Sequence, residues 1–101
     1  MTDRFAELRA ATGAALLRGV GATPAELRQA VAAGRPPAAL SPLVEKIRAH
    51  AYRVTDGDVN ALRGQYTEDQ LFEIIVSAAF GAAEERLRAG LRALEQALDK
   101  P

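Results

Sequence analysis

The stretch that decides the fold is Thr67–Leu98, "TEDQLFEIIVSAAFGAAEERLRAGLRALEQAL". It opens with Thr67 and Gln70 at capping-box spacing, where the threonine oxygen and the glutamine side chain satisfy each other's free backbone N–H groups. Its second half places Leu87, Leu91, Leu94 and Leu98 in a single helical stripe. Its first half, Leu71–Ala83, is apolar nearly all the way round. Only Glu73 and Ser77 interrupt it, four residues apart and so on one face, with Gly81 a further turn on. A helix that is apolar on every face must be covered on every face. Leu71–Ala83 is therefore expected to be central to the molecule or to lie in an interface between copies of the chain. Glu73 has two readings: a rim residue near the helix start, favoured by the helix dipole, or a buried carboxylate facing a pocket or a partner subunit.

Further helix starts are marked upstream. Thr2 with Asp3 opens the first helix, in which Phe5, Leu8, Ala11 or Thr12, Ala15 and Leu16 recur at helical spacing. Thr23-Pro24-Ala25-Glu26 reads as a capping box with proline at the first helical position, followed by Leu27, Ala30 and Val31 on an inner face ending near Gly34. The linker "GRPPAAL" contains two prolines that cannot sit inside a helix. Ser41-Pro42 is a third start, with Leu43, Val44, Ile47 and Ala51 facing inward. Thr55 caps a short fourth helix carrying Val59 and Leu62 and ending at Gly64. No segment alternates with period two, so the expected fold class is all-α, with about five helices in one domain over residues 1–101.

Composition narrows the function. Lys+Arg and Asp+Glu both number 13, so no global field draws the chain to nucleic acid or an anionic membrane. The same balance argues against a helix-turn-helix DNA reader built from the third and fourth helices. The arginines "ERLRAGLR" at 85–92 alternate with acids, as on a solvated, ion-paired face. The longest apolar run is too short for a membrane span, and the first residues lack the apolar core of a signal peptide. There is no cysteine, which fits a cytoplasmic location and removes disulfides, thiolate metal sites and thiol redox chemistry.

One segment concentrates proton-handling groups: Ile47–Val59, "IRAHAYRVTDGDV". His50, the only histidine, is the candidate general acid or base; it also suits the negative end of a helix dipole. Arg53 could hold a carboxylate in two parallel bonds or pair with Asp56. Tyr52 and Asp58 are candidate binding groups, and Asp56 and Asp58 also suit the first turn after Thr55. These ligands lack the rigid spacing of a metal site, and no cofactor motif is present.

From Leu40 to Leu98 the chain resembles the carboxymuconolactone decarboxylase and alkyl hydroperoxidase D-like families, through "DVNALRGQYTEDQLFEIIVSAAFGAAEERLRAGLRAL". The shared order is a short helix, a tight turn, a capped start, an alanine-rich apolar segment and a long amphipathic helix. The resemblance implies a helical bundle that assembles into trimers or hexamers through its central helices. Peroxidase-type members carry Cys-x-x-Cys with a histidine four residues later. Counted back from Thr67 without a gap, those positions hold His50, Arg53 and Gly57; with a turn one residue shorter they hold Ala51, Val54 and Asp58. Neither register supplies a thiol or the motif histidine, so thiol peroxidase chemistry is excluded. The family's upstream glutamate falls on Ala38 or Ala39, and Glu45, the nearest acid, is at the wrong spacing. Two expectations follow. One is a cysteine-less helical homo-oligomer joined through Leu71–Ala83. The other is a non-thiol enzyme acting on a small organic acid, with Arg53 holding the carboxylate and His50 or Glu73 moving the proton.

Overall fold

The long helix forms as the sequence requires, and the other elements are arranged along its first half. The structure is a computed structural model that describes residues 3–99. Five α-helices, α1 (Ala6–Arg18), α2 (Ala25–Ala32), α3 (Ser41–His50), α4 (Asp56–Asn60) and α5 (Glu68–Asp99), are joined by turns, two of them 3-10 turns at Ala38–Leu40 and Ala51–Arg53. No strand occurs among the described residues. The all-α expectation therefore holds. Thr2 lies outside the described residues.

The core sits between α2, α3, the α4 region and the first half of α5. Val31, Leu40, Leu43, Val44, Ile47, Leu62, Leu71, Ile74 and Ala78 form one buried cluster. Leu27, Val54, Val59, Tyr66 and Ile75 pack around it. The expected inner faces of α2 and α3 are confirmed, except that Ala51 has left α3, begins the 3-10 turn and is exposed. α1 differs more: none of its residues is buried, because its apolar side chains are spread around the helix rather than gathered on one face.

Two of the four inner helix starts use the expected caps. Gln70 N–H donates to the Thr67 hydroxyl at 3.1 Å while Thr67 N–H donates to Gln70 at 2.9 Å. Thr55 and Asp58 close an equivalent box at the start of α4. The other two starts use no side-chain cap. A 3-10 turn leads straight into α3, and the Ser41 hydroxyl donates to Glu45 at 3.1 Å instead. Thr23 is drawn away from the start of α2 to Glu73.

Helix ends are satisfied by a repeated device that the sequence does not announce. The last carbonyls of a helix have no partner within it and carry partial negative charge. Arg28 of α2, itself buried, donates to the carbonyls of Leu16 and Gly19 at the end of α1. Arg48 of α3 donates to the carbonyl of Ala32 at the end of α2, at 2.8 Å. Arg86 of α5 donates to the carbonyl of Arg48 in the last turn of α3. α1, α2 and α3 are thus each closed by an arginine from a later helix. α2 also ends in a Schellman turn: Gly34 lies at φ +77°, where only glycine is unstrained, and Arg35 N–H reaches the Ala30 carbonyl at 2.8 Å.

The face of Glu73, Ser77 and Gly81 turns inward. Ser77 and Gly81 are buried, and Gly81 is where α2 crosses α5. A Cβ there would lie 2.0 Å from the Ala32 carbonyl oxygen, so only glycine permits the approach. Beyond Arg86, which still reaches the Arg48 carbonyl, α5 leaves the body. The molecule measures 56 × 29 × 18 Å with a radius of gyration of 15.6 Å, against about 13 Å for a compact chain of this length.

Candidate functional site

His50, Tyr52 and Arg53 lie together where α3 gives way to the 3-10 turn, but on an open surface. The rings of His50 and Tyr52 meet edge to face with centroids 5.8 Å apart. The Arg53 guanidinium lies 5.7 Å from the Tyr52 ring centre, at cation–π distance. All three residues are exposed, and Tyr52 retains 79% of its accessible surface. The Tyr52 ring is therefore not packed into the body. Arg53 makes no ion pair with Asp56 among the described residues; its guanidinium turns to the tyrosine instead.

Asp58 stands apart from this trio, in the first turn of α4. Its carboxylate accepts both Thr55 N–H and the Lys46 ammonium, each at 2.9 Å. The Lys46 bond, followed by the Thr55 backbone bond, holds the Asp58 carboxyl below its usual range. Asp58 thus ties α3 to α4 and keeps its charge.

Glu73 belongs to a third place, the connection between α1 and α2. Its carboxylate accepts Ala22 N–H at 2.6 Å, Thr23 N–H at 2.9 Å and the Thr23 hydroxyl at 2.6 Å. The Arg28 Nε lies 3.8 Å away. Neither sequence reading anticipated this. The Glu73 carboxylate turns to a loop of its own chain some fifty residues earlier. The Thr23 hydroxyl bond, then the Ala22 backbone bond, keep its carboxyl below the usual glutamate range despite some desolvation. The interruption of an apolar helix by Glu73 was the one signal in the sequence; nothing in it marked Thr23 or Arg28 as the partners.

The structure thus gathers His50, Tyr52 and Arg53, and separates them from both carboxylates. A groove of about 660 Å³ lies between α1, the end of α2 and α5, with Arg9, Gly13, Phe80, Glu84 and Arg88 among its lining. A smaller depression of about 360 Å³ is lined by Asp56, Val59, Asn60 and Arg63. Neither includes His50, Tyr52, Arg53, Asp58 or Glu73. No group of three or more His, Asp or Glu among the described residues is arranged to hold a metal ion.

The outer side of α5 is a further surface left uncovered among the described residues. Phe72 is 67% exposed on the face opposite the core, and Ala79 and Ala83 are exposed on the same side. The band continues through Leu87, Leu94 and Leu98, at 38%, 41% and 64% exposure, with Leu91 half-buried between them. An apolar strip of this length along one helix is the kind of surface that marks an interaction site. No helix among the described residues is long and apolar enough to cross a membrane. No family model, curated protein or solved structure matches this chain.

Proposed function

We propose that this chain is a self-assembling helical module. The observation that supports it is the apolar band along the outer side of α5, from Phe72 to Leu98, on the face opposite the buried core. α1, α2 and α3 cover the inner side of the first half of α5 and leave its outer band bare, and a second copy of the chain would cover the Leu87–Leu98 part of that band. The resemblance of Leu40–Leu98 to the carboxymuconolactone decarboxylase and alkyl hydroperoxidase D-like families points the same way, since those proteins assemble through their central helices. A cytoplasmic module accords with the absence of cysteine.

The organic-acid enzyme has less support. It requires a base, a carboxylate-binding arginine and a proton-moving acid to converge on one concave site. His50 and Arg53 stand on open surface, and the Glu73 oxygens are already committed to three donors.

The four leucines of the band are already partly covered, so completing their burial contributes roughly 1 kcal/mol each. Eight across a symmetric pair give about 8 kcal/mol; the low end of the association cost, about 4 kcal/mol, leaves about 4 kcal/mol, a weak complex with a Kd of about 1 mM. Sedimentation equilibrium on the full chain should therefore show oligomers at about 1 mM that dissociate on dilution. Leu94→Glu should abolish them while leaving the helical content unchanged. A strictly monomeric wild-type chain at that concentration would overturn the proposal.

A further inference from the structure

The self-association proposed above has a direction written into α5. Phe80, Glu84, Leu87, Leu91, Leu94 and Leu98 follow one another in alternating steps of four and three residues, the spacing of a helix–helix seam. The upper part of this seam is occupied within the chain. Gly13 of α1 lies against Phe80, and Arg9 pairs with Glu84 at 3.2 Å. As the α1 number falls the α5 number rises, so α1 lies antiparallel on α5. Body contacts extend as far as Arg86, which holds the Arg48 carbonyl. From Leu87 onward none of the described residues of another element fills the seam, and Leu87, Leu94 and Leu98 are exposed.

We infer that the open part of the seam, Leu87–Leu98, takes the same segment of a second copy in antiparallel orientation, giving a two-fold dimer. This rests on the self-assembly reading and adds its geometry. Aligned antiparallel, Leu87 meets Leu98 of the partner subunit and Leu91 meets Leu94 of the partner subunit, so every leucine is used. The residues flanking the seam on one side are Arg88 and Glu95; on the other they are Gly90 and Ala97. In the antiparallel pair Arg88 comes beside Glu95 of the partner subunit, offset by about 3 Å along the axis. The two-fold repeats this bond at the other end. On the opposite side Gly90 and Ala97 present no bulk and let the backbones approach. In a parallel pair Arg88 would face Ala83 and Glu95 would face Gly90, with no charge matched across the seam. Arg88 is free to make the new bond: it is 67% exposed, and its Glu84 contact, at 3.8 Å, is long. The partner helix extends the line already taken by α1, and its tip comes level with the start of α1.

The chain has no cysteine, so single cysteines report orientation without background. Full-length Leu87→Cys and Leu98→Cys chains, mixed in equal amounts and oxidised at about 1 mM, are expected to give mainly the mixed disulfide dimer. Each variant oxidised alone should give little. Arg88→Glu should weaken dimerisation in sedimentation about tenfold, and Arg88→Glu with Glu95→Arg should restore it. An oligomer in which L87C chains cross-link to one another, or in which the double charge reversal fails to restore affinity, overturns the antiparallel arrangement and leaves self-assembly standing. A monomer overturns both. Unchanged circular dichroism of each variant excludes misfolding as the cause.

Discussion

Thr23 donates its hydroxyl to Glu73 Oε1 at 2.6 Å, closing a link between residues fifty positions apart. The same carboxylate takes the N–H groups of Ala22 and Thr23 and lies 3.8 Å from the Arg28 Nε. Arg28 in turn holds the end of α1 through the Leu16 and Gly19 carbonyls. One carboxylate on α5 thus fixes the α1–α2 connection and balances the buried charge that caps α1. Hydrogen bonds to charged groups contribute more than neutral ones, and a buried charge stripped of its partner is costly. Glu73→Ala is expected to cost about 3 kcal/mol in urea denaturation. Thr23→Val, which removes one hydroxyl and keeps the shape, should cost about 1 kcal/mol. Equal stability of E73A and wild type would show that α1 is held by other means.

The same link sets a pH dependence. The folded-state carboxyl of Glu73 is held below its usual range, first by the Thr23 hydroxyl and then by the Ala22 N–H. A depressed carboxyl binds fewer protons folded than unfolded, so its contribution is fully present above the unfolded glutamate value of about 4.3. It is lost as pH falls from there through the folded value. Stability should therefore decline on acidification below that point, and the decline should be shallower in Glu73→Gln. Asp58 and Glu85, each also held low by a basic partner, add to the wild-type slope and remain in the variant. Denaturation midpoints between pH 3 and pH 6 compare the two slopes; parallel curves would remove Glu73 from the account.

At the α2–α5 crossing the decisive contact is backbone against backbone. A Cβ on Gly81 would come within 2.0 Å of the Ala32 carbonyl oxygen. Neither group can turn aside as a side chain can, so α2 must move. Gly81→Ala is expected to cost about 3 kcal/mol or more, at the upper end of overpacking effects. Gly90→Ala, with open space around the glycine, should instead stabilise α5 by up to about 1 kcal/mol. Thermal denaturation of the two single variants, one falling and one rising, separates packing from helix propensity.

Much of the fold was legible because it rests on local rules. Thr67 with Gln70 and Thr55 with an acid in the first turn marked helix starts through bonds spanning three residues. Leu43, Val44 and Ile47 marked an inner face by spacing alone. The misreadings lie where a distant partner outbid a local one. Thr23 had every feature of an N-cap, yet a charged acceptor on α5 took its hydroxyl and its N–H. Ser41 was displaced by the 3-10 turn preceding it. Arg28, Arg48 and Arg86 cap helices other than their own, and no periodicity encodes which carbonyl a long side chain will reach. The site residues divide in the same way. His50, Tyr52 and Arg53 are neighbours in sequence and remain neighbours in space, whereas their proposed convergence with Glu73 depended on tertiary geometry.

The start of α4 offers a test of how a five-residue helix persists at all. A helix this short has no stability of its own in water, since nucleation costs more than one turn of bonds returns. α4 is held from outside, by the reciprocal Thr55–Asp58 bonds and by Lys46 reaching across from α3 at 2.9 Å. Thr55→Ala removes the hydroxyl that accepts Asp58 N–H and should cost about 1 kcal/mol. Asp58→Asn should do more local damage, because it breaks the ion pair to α3 as well as weakening the cap. Amide hydrogen exchange is the appropriate measurement. Faster exchange is expected over residues 58–62 in both variants, reaching into the Leu62 contact with the core in D58N, while Leu71–Ala82 stays protected. Exchange rising equally along α5 would mean that α4 and α5 open as one unit, and that the Asp58 tie supports the whole core rather than this turn.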